Sequence, residues 1–347
     1  MSDKKRLLFL LTGGTLLMRE KAAVDGRSPS MLALEDATTD LLAEVPALAR
    51  VADIETRQLF ATTLGNSRRG MDSSDMQPSD WVALAREVHA ALGAFDGVVV
   101  VHGTDTMAYT ASALALLLGP LPKPVVLTGA QRPLAEARTD ARENLVDAAH
   151  VATLQVPEVC IAFASRVMRG VRATKRDAWA LDAFDSPNCK QLVELGVSAT
   201  IAPHVNAPQP LAAFDDRIEP SVLAVRIFPG LEERLITGAV RAGVRGLVLE
   251  AYGTGNVPQS VGRSLIPAIE HARAARVPVV VVSQCLRGFV DLSRYAGGAA
   301  ARDAGAISGG DMTPEAALAK LMIGLGRLGP GEDLRAYFER NVVGERS

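Results

Sequence analysis

Short runs of Val, Leu and Ile alternate along this chain with longer stretches whose apolar residues recur at three- and four-residue spacing. A run that is apolar throughout suits a strand buried on both faces, and parallel strands need a crossover, usually a helix, between them. The alternation therefore predicts an α/β fold with a largely parallel sheet and helices on both of its faces. In the first half the predicted strands cover residues 6–11, 51–59, 97–102, 124–128 and 159–164. Pro78 is suited to open a helix, and Trp81, Leu84, Ala85, Val88 and Leu92 mark the face that would lie on the sheet.

Between residues 201 and 220 this pattern gives way to Pro203, Pro208, Pro210 and Pro220 among polar residues, the composition of a linker. A larger domain at 1–200, a linker at 201–220 and a smaller α/β domain at 221–347 are predicted, and 347 residues are ample for two cores. In the smaller domain the expected strands are 223–227, 246–250 and 277–283, with helices near 259–275, 314–328 and 332–340.

Composition removes several classes of function. A net charge of −2 gives no general attraction to nucleic acid or to anionic lipid, and neither is expected as a partner. Cys160, Cys189 and Cys285 have no C-x-x-C spacing, and the five histidines have no H-x-x-x-H. No metal site or disulfide framework is predicted. The basic start at Lys4-Lys5-Arg6 precedes only a short apolar run, broken by Thr12-Gly13-Gly14-Thr15, so a first strand is expected there rather than a leader. No run is long enough for a membrane helix, and a reducing, cytoplasmic compartment fits the cysteines.

In an open parallel sheet, ligands gather where the loops leave the carboxyl ends of the strands. Four polar clusters fall at or near such positions. Thr12-Gly13-Gly14-Thr15 follows the first strand, and its glycines leave the Thr15 hydroxyl uncrowded, as a nucleophile or as a helix cap. His102-Gly103-Thr104-Asp105-Thr106-Met107 places a hydroxyl and a carboxylate before a helical stretch. There Thr104 can attack or relay a proton while Asp105 holds an ammonium group, or either can cap the helix. Met71-Asp72-Ser73-Ser74-Asp75-Met76 can bind a small carboxylate or be a polar loop, and Arg172-Ala173-Thr174-Lys175 supplies a lysine that is otherwise only a solvated charge. Together, a threonine, a lysine and an aspartate match the nucleophile, base and orienter of hydrolases.

These clusters, in this order, resemble the bacterial L-asparaginase family, with the closest similarity to its cytoplasmic type I branch. The resemblance extends through Thr128-Gly129-Ala130-Gln131, Asp182-Ala183-Phe184, Tyr252-Gly253-Thr254-Gly255-Asn256 and Gly309-Gly310-Asp311-Met312-Thr313. It implies hydrolysis of the side-chain amide of L-asparagine to L-aspartate and ammonia. Thr15 would be the nucleophile, and Thr104, Asp105 and Lys175 the second catalytic group. Ser73 and Ser74 would hold the α-carboxylate, Asp105 the α-ammonium, and the Ala130 carbonyl the leaving amide. The resemblance further implies a homotetramer, a dimer of dimers, in which Asn256 of a neighbour completes each site, and it implies no cofactor.

Two departures from that family stand out. The loop after Thr15 normally carries a tyrosine, whereas no tyrosine precedes Tyr109 in this chain; residues 19–30 look lengthened, and Arg27 falls near the expected position. Glu250 stands where regulated type I relatives carry an arginine for a second asparagine, so that regulatory site is expected to be absent. Competing readings are the amidase subunit of a tRNA-dependent amidotransferase, a degenerate amino-acid-binding homologue and a nucleotide-binding module. The first usually has an additional N-terminal domain, for which the motif at Thr12 leaves no room. The last lacks both a G-x-G-x-x-G after a strand and a following Gly-Lys-Ser or Gly-Lys-Thr.

Overall fold

A computed structural model describes residues 4–21, 31–34, 40–60, 62–64, 67–329 and 332–347. The chain divides into two units, Met1–Phe214 and Asp215–Ser347. The first begins with β1 (Arg6–Leu11), the antiparallel pair β2 (Met18–Lys21) and β3 (Met31–Leu34), the short helices α1 (Leu41–Glu44) and α2 (Leu48–Val51), and β4 (Asp53–Gln58). The hairpin β5 (Thr62–Leu64) and β6 (Ser67–Arg69) follows, then α3 (Pro78–Ala91), β7 (Gly97–Val101), α4 (Met107–Leu118), β8 (Val125–Thr128), α5 (Ala141–Ala152) and β9 (Val159–Phe163). The unit closes with β10 (Arg166–Arg169), the two-residue strands β11 (Thr174–Lys175) and β12 (Phe184–Asp185), β13 (Val193–Leu195) and β14 (Ala199–Ile201).

Its main sheet has the order β14-β13-β10-β9-β8-β7-β1-β4, parallel from β4 through β9 and antiparallel from β10 outward. β1 pairs with β4 on one side and β7 on the other. The chain thus winds outward from β1 in one direction and then in the other, and the carboxyl ends of β1 and β7 flank the crevice where the direction reverses.

Burial explains the layers. Leu7, Phe9 and Leu11 of β1 share a core with Leu48 of α2 and Ala141, Leu145 and Ala148 of α5. Alternate residues point to the opposite face, where α3 and α4 run. The α3 helix starts at Pro78 and is boxed by the Gln77 N–H, which donates to the Asp80 carboxylate at 2.8 Å. Trp81, Leu84, Ala85, Val88 and Leu92 are all buried, as their spacing predicts. Nearly every residue of α4 is buried, matching its Ala- and Leu-rich sequence.

The expected strand at 51–59 is a helix ending at Val51 and a strand starting at Asp53, and the antiparallel extension lies outside the elements read from periodicity. It arises at Ala164 and Ser165, whose φ values of 50° and 57° make the two-residue turn that folds β10 back on β9, with Arg166 opposite Phe163.

The second unit contains β15 (Val222–Arg226), α6 (Glu233–Arg241), β16 (Gly246–Ala251), α7 (Ile266–Ala274), β17 (Val279–Ser283), α8 (Ala296–Asp303), β18 (Ile307–Ser308), α9 (Pro314–Arg327) and α10 (Leu334–Glu339). Its four strands run parallel in chain order. The helix expected over 259–275 is confined to α7 because Pro267 is tolerated only in a first turn. Lys320 of α9 is fully buried against Glu345 at 2.6 Å and also donates to the carbonyls of Phe338 and Arg340, which ties the C-terminal segment down. Among the described residues no helix is long and apolar enough to cross a membrane.

Candidate active site

The loops that leave β1 and β7 meet through glycine backbone. Thr12 donates its N–H and its hydroxyl to the Val101 carbonyl, both at 3.0 Å, and accepts from the Met71 N–H at 2.9 Å. A Cβ on Gly14 would stand 2.5 Å from the Gly103 nitrogen, and one on Gly103 would stand 2.5 Å from Ser73 Oγ. Only residues without a side chain allow so close an approach. Three of the four polar clusters thus share the end of the sheet at the switch of winding.

Thr15 is half-buried at the start of a 3-10 turn, Thr15–Leu17, in which Gly14 with φ 91° is the capping residue. Among the described residues nothing holds its hydroxyl by a hydrogen bond. Thr104 is buried and Asp105 exposed, and neither caps α4: the residue before that helix is Thr106, whose hydroxyl donates to the Ser73 carbonyl at 2.7 Å. Ser73 is buried, whereas Ser74 is exposed and donates both its N–H and its hydroxyl to Asp72 at 2.9 Å.

Lys175 arrives on the β11–β12 ladder, opposite Phe184, which is buried against Phe163. Its ammonium donates to Thr104 Oγ1 at 2.9 Å and to Asp105 Oδ1 at 2.7 Å. The Thr104 hydroxyl donates to Gln131 Oε1 at 3.1 Å, and the Gln131 amide donates to the carbonyls of Ala178 and Ala180 beyond the lysine. The chain of donors therefore runs from Lys175 through Thr104 to Gln131. An ammonium beside the Thr104 oxygen lowers the cost of negative charge there, and the Asp105 carboxylate balances it.

Under this loop His102 is fully buried. Its Nδ1 donates to the Gly103 carbonyl at 2.7 Å, leaving Nε2 to accept from the Thr110 hydroxyl at 3.0 Å. Burial, only partly offset by the Gly103 carbonyl, pulls this imidazole down to about 4, so it is a neutral structural post.

Ala130 is buried in the loop after β8, and Asn256 lies in the second unit at an exposed turn, where its N–H donates to the Tyr252 carbonyl at 2.8 Å. Arg27 lies outside the described residues. Glu250 faces Arg226 at 3.9 Å across the β15–β16 pairing. Among the described residues no group of His, Cys, Asp and Glu is arranged to hold a metal ion. Sequence reasoning did not single out Gln131 as a site residue, although it sits in the Thr128-Gly129-Ala130-Gln131 string; contact with Thr104 comes only from the fold.

The comparisons with known proteins agree along the chain. A family model described as asparaginase, N-terminal, matches residues 6–208, and one described as glutaminase/asparaginase C-terminal domain matches residues 221–338. An L-asparaginase of Thermococcus kodakarensis is 37% identical over 345 residues, covering 98% of each chain. The structure of the thermostable L-asparaginase from that organism aligns with a TM-score of 0.84 over 99% of both chains, at 36% identity. L-asparaginase 1 of Escherichia coli K12 is 39% identical over 79% of this chain and 82% of its own. L-asparaginase I from Vibrio cholerae aligns with a TM-score of 0.85 at 34% identity over 99% of both chains. With both of its units matched in this way, the chain belongs to the asparaginase family.

Proposed function

We propose that this protein hydrolyses the side-chain amide of L-asparagine, giving L-aspartate and ammonia. The observation that carries the reading is the Lys175–Thr104–Asp105 chain, with contacts of 2.9 and 2.7 Å, at the loop that glycine backbone joins to the loop of Thr15. Thr15 Oγ1 attacks the side-chain carbonyl carbon, and backbone N–H groups near Thr104 help hold the oxyanion. The C–N bond breaks, the nitrogen takes the proton that the Thr15 hydroxyl gave up and leaves as ammonia, and an aspartyl ester remains on Thr15. Water then splits the ester and returns the proton to Thr15. Thr104, with Lys175 beside it, manages the proton in both halves.

The charges of the substrate backbone are read by Asp105, for the α-ammonium, and by Ser73 and Ser74, for the α-carboxylate. The exposed Asp105 carboxylate can reach an ammonium group. In this reading the Ala130 carbonyl takes the leaving amide, and Asn256 of a neighbouring protomer completes the site in a cytoplasmic homotetramer built as a dimer of dimers. With Glu250 where regulated type I relatives carry an arginine, and its carboxylate facing Arg226, the rate saturates hyperbolically.

The test is ammonia release by the purified protein alone, with L-asparagine beside L-glutamine and D-asparagine, and with Thr15→Ala as control. Asparagine turnover that vanishes in Thr15→Ala supports the reading. A folded wild type inert towards every amide refutes it in favour of a binding protein or of an amidase that needs a partner.

A further inference from the structure

The segment after β8 is held by a second layer of side chains that the reaction outlined above does not use. Gln131 and Arg132 donate their N–H groups to Asp140 Oδ2 and Oδ1, each at 3.0 Å. The Asn144 side-chain amide, one turn further along α5, donates to the Gly129 carbonyl at 2.9 Å and to Asp140 Oδ2 at 3.1 Å, and its Oδ1 accepts from the Ala164 N–H at 2.9 Å. Both side chains are buried, Asp140 at 9% exposure and Asn144 at 1%. The peptides on both sides of Ala130 are therefore clamped.

The geometry of a trans peptide decides what the clamp does. The carbonyl of residue 130 and the N–H of residue 131 belong to one planar unit and point in opposite directions. With the Gln131 N–H held on Asp140, the Ala130 carbonyl is aimed away from it, and among the described residues no donor of the chain occupies that carbonyl. Hydrogen bonds in a chain polarise one another, so a carboxylate on the N–H end of the unit makes the oxygen at its other end a better acceptor. We propose that Asp140 and Asn144 are positioning residues that aim and polarise the Ala130 carbonyl towards the N–H of the departing amide, and so set the preference for an amide over other acyl leaving groups. This rests on the proposed reaction and adds a determinant of its specificity. An amide nitrogen has N–H groups to give to the carbonyl, whereas an ester oxygen presents only lone pairs.

The experiment compares kcat/KM for L-asparagine and for the β-methyl ester of L-aspartate in the full-length wild type, Asp140→Asn and Asn144→Ser. The expected result is that the variants lose about tenfold more on asparagine than on the ester, because only the amide loses a hydrogen bond. The ratio between substrates does not depend on how much of a variant is folded, so a partly unfolded preparation still gives an answer. Equal losses on both substrates in an active protein overturn the positioning role and leave the amide hydrolysis standing. A wild type inert towards both substrates overturns the hydrolysis and this inference with it.

Discussion

Replacing Gly14 with alanine tests whether glycine-to-glycine contact sets the geometry of the site. The new Cβ would stand 2.5 Å from the Gly103 nitrogen and 3.0 Å from the His102 carbonyl carbon, all of it backbone that cannot swing aside. Ordinary carbon contacts lie near 3.5–4.0 Å, so the loops of Thr15 and Thr104 must part by about 1 Å. A displacement of about that size at a reacting centre can lower kcat/KM on the order of 100-fold. Stability falls as well: alanine at φ 91° costs about 1–2 kcal/mol and the overlap about 1–3 kcal/mol more, which lowers Tm by roughly 4–20 °C.

Gly119→Ala is the matched control, because Gly119 also has a positive φ, 68°, but a Cβ there meets nothing within 4 Å. It should show the backbone cost alone, with kcat/KM intact. The assays are ammonia release and thermal unfolding followed by tryptophan fluorescence, which reports on the first unit because both tryptophans, Trp81 and Trp179, lie in it. A Gly14→Ala protein with wild-type kcat/KM would refute the argument that this contact holds the two threonines in register.

Gln131→Leu removes the acceptor for the Thr104 proton, and kcat is expected to fall about tenfold while Gln131→Glu, which keeps an acceptor oxygen, loses less; steady-state kinetics decide it. His102 has a folded pKa of about 4 against 6.5 for a free imidazole, so only the unfolded chain gains the proton between those values. Its contribution to stability is intact above pH 6.5 and is lost as pH falls towards 4, by about 3 kcal/mol. Urea unfolding read by tryptophan should therefore weaken more steeply with acid in wild type than in His102→Gln, and parallel pH curves would contradict it. Lys320→Met removes the ammonium that faces the buried Glu345 carboxylate in the second unit, at a cost of about 3–5 kcal/mol, and amide exchange should quicken across residues 338–345; an unchanged exchange pattern would show that the buried pair does not hold the C-terminal segment.

Much of the fold was legible because its strands are buried on both faces. β7, Gly97–Val101, is apolar at every position after its glycine, and β8 and β9 are nearly as uniform, so their place in a parallel sheet follows from the residues alone. What resisted reading had weak local signals. β4 is an edge strand with the sequence DIETRQ, and β9 turns into β10 through Ala164-Ser165, which carries no asparagine or glycine to announce a left-handed turn. α8 begins with Gly297 and Gly298 near its start, residues of low helix propensity.

The site divides along the same line between local and non-local information. Which residues are candidates for chemistry is a local matter: Thr15, Thr104, Asp105 and Lys175 are marked by type and by position after predicted strands, each open alone to a cap or a solvated charge, and only their combination and order point to a hydrolase. Which of them touch is set by strand order. β1 accepts β4 on one edge and β7 on the other, and that choice, invisible to any periodicity, brings Gly14 against Gly103 across the switch of winding. Lys175 comes within 2.9 Å of Thr104 through a two-residue ladder far along the chain. Gln131 and Asp140 gain their roles one step further out, from contacts made only after those strands have been ordered. Local motifs therefore name candidate groups early, whereas the contacts around them emerge last: Gln131 meets Thr104 from 27 residues away in sequence, and Asp140 holds backbone N–H groups, which leave no mark in a sequence.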